Sequence, residues 1–354
     1  MRIVVLGATG YVGSRLVPQL LEAGHEVVAA SSSATQPGRF SWSDQVTWRQ
    51  CDVTDRRAVA KALRDADGVC YLVHSLKRRG FADRDRLGAT HVRDAASSTG
   101  VRRIVYLSGL VPRLDRGEGL SAHLASRLEV EQILAAADCS TLSLRAGVVI
   151  GAGSTSYEVV RQLASLLLVQ PVPSWMRTSV QPVAVSDVLR ALVAAFDDGA
   201  PEGDLDLGGP DVLRYPDLLA AYSRAALLPR LRVPVPIAPV AAVGVTTALL
   251  VGAPFHTVTA LVDSLRHDMV CRPDHQWSPG EQPFLGVEEA LARSLGLHGC
   301  DVPEAPLASD PAWTRMRAPV FDELHAPTVV RAGASLALRR LADVRGVFRN
   351  AAGL

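Results

Sequence analysis

Through the first 150 positions, short runs of β-branched and apolar residues alternate with stretches whose apolar residues recur at helical spacing. The pattern predicts strands at Arg2–Leu6, Glu26–Ala30, Val46–Cys51, Val69–Val73, Ile104–Leu107 and Thr141–Arg145. Between them it predicts helices over Val12–Ala23, from near Asp55, over about Arg84–Ser98 and from roughly Leu120 to Ala136. Gly24 stands where a helix-terminating glycine belongs. The strands are continuously apolar rather than alternating, so both of their faces have to be buried. Strand–helix alternation of this kind predicts an α/β fold built on a doubly wound parallel sheet.

Beyond residue 150 the rhythm weakens, and Pro171, Pro173, Pro182, Pro201, Pro210 and Pro216 follow one another closely. Residues 151–302 therefore read as a smaller, mainly helical substrate lobe. Short strands are expected near Gln181–Val185 and Asp204–Leu207, and strands from about 181–207 can return to complete the sheet of residues 1–150. Residues 303–354 read as a proline-rich, loosely packed extension followed by a basic amphipathic helix at Arg331–Asn350. That helix has two uses open to it: docking on its own domain, or peripheral contact with a membrane. From Val233 to Val262 there is no Asp, Glu, Lys or Arg, a stretch long enough for a membrane span. Pro234, Pro236, Pro239, Gly244, Gly252 and Pro254 interrupt it, which favours buried or pocket-lining helices over a span.

Charge and composition remove several function classes. With 37 basic and 36 acidic side chains the net charge is +1, and nothing points to a nucleic-acid partner. Five scattered cysteines do not form a disulfide framework and fit a reducing, cytoplasmic setting. The start of the chain has no apolar run of signal-peptide length. The histidines have no metal-ligand spacing and no Cys-x-x-Cys occurs, so no metal site is expected. Gly-x-Ser-x-Gly is absent, and with it the nucleophile elbow of serine hydrolases.

Candidate chemistry begins at Gly7-Ala-Thr9-Gly10-Tyr11-Val12-Gly13, set between the first strand and the first helix. Gly7 permits a tight turn, Gly10 lets backbone approach a pyrophosphate, and Gly13 permits close helix–strand packing. The helix that follows aims free N–H groups and a positive dipole end at the phosphates. This is the context of a Rossmann-type dinucleotide site. NAD sites usually end their second strand in a carboxylate, but here Ala29-Ala30-Ser31-Ser32-Ser33 stands there and the first acid afterwards is Asp44. The hydroxyls of Ser31 and Ser32 with a cation, Arg39 or Arg15, suit a 2′-phosphate. NADP is thus preferred, and NAD stays open.

These residues, with Cys51-Asp52-Val53, Tyr71-Leu-Val73-His74-Ser75, Arg103-Ile-Val-Tyr-Leu-Ser108, Leu144-Arg-Ala-Gly147-Val-Val-Ile-Gly151 and Gln181-Pro-Val-Ala-Val-Ser-Asp187, resemble the extended and atypical short-chain dehydrogenase/reductase superfamily. Within it the chain is similar to the NmrA-like and complex I accessory-subunit-like branch, over roughly residues 1–300. The resemblance implies that Asp52 and Val53 contact the adenine, that Val73, His74 and Ser75 lie along the cofactor, and that Gly147 belongs to the cofactor site. It also implies a serine, Ser108, that polarises a substrate carbonyl.

The superfamily's Tyr-x-x-x-Lys pair is missing, since the lysines are Lys61 and Lys77 alone. His123 and Arg127 stand at the expected place and share one helical face. His123, titrating near neutrality, can serve as acid/base with Arg127 as a fixed cation. Two other readings stay open: a non-catalytic NADP-binding sensor, regulatory or assembly protein, or ordinary surface residues. The leading expectation is an NAD(P)(H)-dependent oxidoreductase, or a nicotinamide-using isomerase, acting on an apolar carbonyl or alcohol. The pattern does not specify an oligomeric state.

Overall fold

A computed structural model of the chain describes residues 1–33, 38–76, 80–112, 119–236, 238–297 and 302–315. The first half runs β1 (Arg2–Leu6), α1 (Tyr11–Glu22), β2 (Glu26–Ser31), β3 (Thr47–Gln50), α2 (Arg56–Ala62), β4 (Gly68–Tyr71), α3 (Phe81–Thr99) and β5 (Arg103–Gly109). Then come α4 (Ala122–Ala135), β6 (Ser140–Ala146), β7 (Val149–Ile150), α5 (Thr155–Leu166), β8 (Val169–Pro173), β9 (Ser179–Val180), β10 (Val183–Ala184) and α6 (Val185–Ala194). The last stretch holds β11 (Gly203–Leu207), β12 (Leu213–Arg214), α7 (Tyr215–Ala225), β13 (Leu231–Val235), α8 (Val240–Leu250), α9 (Phe255–Ser264) and α10 (Val287–Ser294).

Seven parallel strands form the main sheet in the order β11-β6-β5-β4-β1-β2-β3. The order reverses between β1 and β4, and ligands of such sheets bind outside the carboxyl ends of the strands at that point. Alternate residues of β1 serve opposite faces. Ile3 and Val5 pack with Leu16, Val17 and Leu20 of α1 and with Val188, Leu189 and Leu192 of α6. Val4 and Leu6 pack with Val59 and Leu63 beside α2, Val92 of α3 and Val130 of α4. Burial on both faces is why these strands read as continuous apolar runs.

The Rossmann-type sheet is completed from the later chain, but not by both short strands. Gly203–Leu207 pairs parallel with β6, Leu205 opposite Leu144. Val183–Ala184 instead pairs with Val149–Ile150 in a separate two-stranded sheet, because Gln181 and Pro182 carry the chain past the end of β6. The lobe core joins Tyr157 and Val160 of α5, Leu218 and Tyr222 of α7, and Leu291 of α10.

Two expectations require correction. The described part of that extension, residues 303–315, is held in place rather than loosely packed: Glu304, Ala305 and Asp310 are all buried. The physical reason is Arg15, whose guanidinium donates to the carbonyls of Pro303 and Ala305 and to both oxygens of Asp310. The uncharged Val233–Val262 stretch is divided among β13, α8 and α9; Val258 and Val262 are buried, whereas Val245 and Leu249 are exposed. Among the described residues no helix is long and apolar enough to cross a membrane. The amphipathic Arg331–Asn350 segment and Lys77-Arg78-Arg79 lie outside the described residues.

Candidate cofactor and substrate site

The glycine turn closes onto the end of β2, since Gly7 N and Ala8 N both donate to Ala30 O, at 3.1 and 3.2 Å. Gly7 has φ +93°, a left-handed conformation that favours glycine. A Cβ on Gly13 would overlap the Gly7 carbonyl oxygen and lie 2.8 Å from Ala8 Cα, so α1 approaches β1 as closely as it does only through glycine. Gly10 N-caps α1 without a side-chain bond, and no acid occupies the first helical turn. The dipole end is left for an anion, and a Cβ on Gly10 would crowd the turn at 3.2 Å from Gly7 O. The turn therefore fits a dinucleotide pyrophosphate.

Around it the other expected residues divide. Thr9 Oγ1 and Ser31 Oγ are 3.3 Å apart, tying the turn to the end of β2. Tyr11 offers only its backbone: its side chain is turned inward, with its hydroxyl by Gly151 and Arg15 4.2 Å above its ring. Val12 follows it in the first turn of α1. Arg15 cannot grip a 2′-phosphate, because its charge is buried against Asp310 at 2.7 Å. Arg39 is exposed, as are Ser32 and Ser33, while Ser31 is buried. Past β3, Asp52 accepts from Thr54 N and Thr54 Oγ1, at 2.9 and 2.8 Å. Val53 is buried against α3, where a Cβ on Gly88 would meet its side chain at 2.8 Å.

The stretch after β4 runs between the glycine turn and β5: Leu72 N donates to Leu6 O at 3.0 Å, and Ser75 N donates to Asp85 Oδ1 at 2.8 Å. Val73 is half-buried and His74 exposed. Gly147 lies where a Cβ would overlap Gln181 O, so at this position it serves close chain packing, with its N–H bonded to Leu207 O at 3.0 Å. Asp85 is the functional candidate the sequence reading missed. Nothing local marks it: in the sequence it is one member of the charged run Asp83-Arg84-Asp85-Arg86, and only burial singles it out.

Ser108 ends β5 with its hydroxyl buried and without a hydrogen-bond partner among the described residues. The helix opposite is N-capped by Ser121, whose hydroxyl also meets Ser264 Oγ of α9 at 2.9 Å. Arg127 clasps that helix to β5, with Nη1 donating to Leu107 O at 3.2 Å and to Tyr106 Oη at 3.3 Å. His123 is one turn earlier on the same face, and its Nδ1 also lacks a partner among the described residues. Arg127 therefore ties the helix that carries His123 to β5 at Leu107, the residue before Ser108.

The expectation that His123 titrates near neutrality is overturned. Burial, reinforced by the charge of Arg127, lowers its pKa to about 3. The ring is neutral at physiological pH. An unfolded chain would bind a proton here below its ordinary value of 6.5, and the folded chain does not until about 3. Acidification through that window destabilises the folded state, by up to about 1.4 kcal/mol per pH unit. His123→Gln is expected to remove this part of the acid sensitivity, measured as the change in urea midpoint between roughly pH 7 and pH 4. Equal losses in wild type and variant would refute the assignment.

Residues 7–189, more than half of the chain, match the NAD(P)H-binding family. The chain belongs to this family of NAD(P)H-binding proteins. The NAD(P)H-binding protein is 28% identical over 293 residues to an uncharacterized protein of Mycobacterium tuberculosis, covering 82% of this chain but 29% of that one. It thus spans under a third of the length of that relative. It is 30% identical over 232 residues to a 3-diazoavenalumate denitrifying reductase of Streptomyces sp, covering 56% of this chain and 73% of the relative. In fold it resembles the Bordetella bronchiseptica enzyme WbmH solved with NAD+, at TM-score 0.61 and 20% identity, covering 82% of this chain and 95% of that one. The expected NAD(P)-binding family and the Rossmann-type fold hold.

Proposed function

We propose that this protein is an NADP(H)-dependent reductase of an apolar carbonyl compound, working in reverse as an alcohol dehydrogenase. The observation that carries the reading is the pair of buried, unpartnered polar atoms, Ser108 Oγ and His123 Nδ1, on two elements clasped together by Arg127. Buried polar atoms without a protein partner are costly, and a substrate oxygen is a group that can satisfy these two. The reductase named among the relatives supports the reaction class.

When bound, the nicotinamide supplies or accepts the hydride. The residues of this chain do the rest. The Gly7–Gly13 turn holds the pyrophosphate, Asp52 and Val53 hold the adenine, and Ser31, Ser32 and Arg39 receive the 2′-phosphate. The Ser108 hydroxyl and the N–H of the neutral His123 ring donate hydrogen bonds to the substrate oxygen. A neutral imidazole is a competent donor to an oxygen that gains negative charge. Arg127 adds a fixed positive charge on the same helix face. The His123 N–H proton passes to the substrate oxygen as the other ring nitrogen takes one from solvent, so the ring stays neutral and only its tautomer changes. Helix α9, packed on α4 through Ser121 and Ser264, supplies part of the apolar wall.

The test is oxidation of NADPH, followed by absorbance, across a panel of apolar aldehydes and ketones. Ser108→Ala and His123→Phe are each expected to lower kcat about a hundredfold while NADPH affinity is unchanged. The rate should show no pH limb near 6.5, because His123 does not titrate there. Tight NADPH binding with no oxidation of any panel member would favour the second reading, a non-catalytic sensor, which the missing Tyr-x-x-x-Lys pair supports.

A further inference from the structure

Four charged residues in a row open α3, Asp83, Arg84, Asp85 and Arg86, and they do different things. Asp83 and Arg86 are exposed, and Arg86 pairs with Glu129 of α4 through its Nε at 2.5 Å. Asp85 alone of the four is buried, 5% exposed. Its Oδ1 accepts Ser75 N at 2.8 Å, which draws the stretch after β4 towards α3. Burial raises the pKa of this carboxyl, and its bonds from Ser75 and the positive charge of Arg127 on α4 offset that only in part.

We infer that Asp85 is a positioning residue for the nicotinamide half of the cofactor. It holds the Val73–Ser75 stretch, through the Ser75 N–H, at a fixed distance from the helix that carries His123 and Arg127. The geometry has three parts. The stretch is anchored at its start by Leu72 N to Leu6 O and against Gly7, whose Cβ would stand 3.4 Å from Leu72 C. It is anchored at its end by Asp85. Helix α3, which carries Asp85, is tied to α4 by Arg86 and Glu129, and Arg127 of α4 is bonded to Leu107 O beside Ser108. Asp85 therefore ties the stretch after β4 to the helix packed on α4, which carries His123 and Arg127. The inference rests on nucleotide binding and not on the reductase reading, so the two can fail separately.

The experiment compares NADPH with 2′,5′-ADP, which reaches only the adenine half, by fluorescence and calorimetric titration of the full chain. For Asp85→Ala, NADPH affinity is expected to fall about tenfold or more, the loss of one charge-assisted hydrogen bond. Affinity for 2′,5′-ADP should stay within about twofold of wild type. Asp85→Asn keeps an acceptor oxygen for the Ser75 N–H and should restore NADPH affinity to within about threefold. Wild-type NADPH affinity in Asp85→Ala, a parallel loss of both ligands, or no rescue by Asp85→Asn would each overturn the assignment. If Asp85→Ala fails to fold, Ser75→Pro removes the donated N–H and leaves the carboxyl in place. The same selective loss of NADPH affinity is expected from it, and unchanged affinity would overturn the assignment.

Discussion

Replacing Asp310 by alanine is expected to lower the unfolding free energy by about 3–5 kcal/mol, the cost of stranding a buried charge. Arg15 and Asp310 have side chains only 2% exposed and meet in a two-pronged contact, Nη1 to Oδ1 at 2.7 Å and Nη2 to Oδ2 at 2.8 Å. The other donors of Arg15 go to the carbonyls of Pro303, Tyr11, Ala152 and Ala305. Those dipoles would soften the loss but not neutralise the guanidinium. Asp310 Oδ2 also accepts Leu307 N at 2.8 Å, so the turn at 307–310 would lose its own bond. Because Arg15 lies on α1, behind the glycine turn, NADPH affinity should fall as well. Urea unfolding at neutral pH measures the first effect and fluorescence titration the second. A loss below about 1 kcal/mol would mean that the carbonyls alone satisfy Arg15. Replacing both partners by apolar residues of similar size should recover much of the stability, since the pair itself is costly to desolvate.

Gly13→Ala is the second large effect, and its sign runs against intuition. Glycine inside a helix is ordinarily worse than alanine by about 0.5–1 kcal/mol, so the exchange should stabilise α1. Here the new methyl would overlap Gly7 O and stand 2.8 Å from Ala8 Cα, both backbone atoms that cannot rotate away. Relief requires α1 to move off β1, which opens the turn that holds the pyrophosphate. A net destabilisation of about 3 kcal/mol and a loss of NADPH affinity of about a hundredfold are expected. Thermal melting with and without NADPH reads both; a higher midpoint in the variant would refute the packing argument.

The sheet strands and the glycine turn were legible in the residues because local pattern carries them. Doubly buried strands have to be apolar, and a turn with the left-handed Gly7 followed by an uncapped helix has few other compositions. Residues 302–315 were misjudged because nothing local distinguishes them from a loose tail. What holds them is Arg15, almost three hundred positions earlier. Asp85 was hidden for a similar reason, standing in a charged run of which it is the buried member. The pairing of His123 with Arg127 followed from helical spacing, but the direction of the His123 shift depended on burial that spacing cannot express.

The strand that finishes the sheet has a consequence for where this protein can be cut. The stretch shared with the family ends at residue 189, while β11 begins at Gly203. A fragment ending with the shared stretch would leave β6 as a bare edge, open to pairing with another chain. It would also cost Arg145 one of its two acidic partners, Asp204 Oδ2 at 3.3 Å, leaving only Glu131. The smallest piece able to fold alone is therefore longer than the piece that homology delimits. During synthesis the edge of β6 stays uncovered until β11 has emerged, and sheet closure across so long a sequence separation is intrinsically slow.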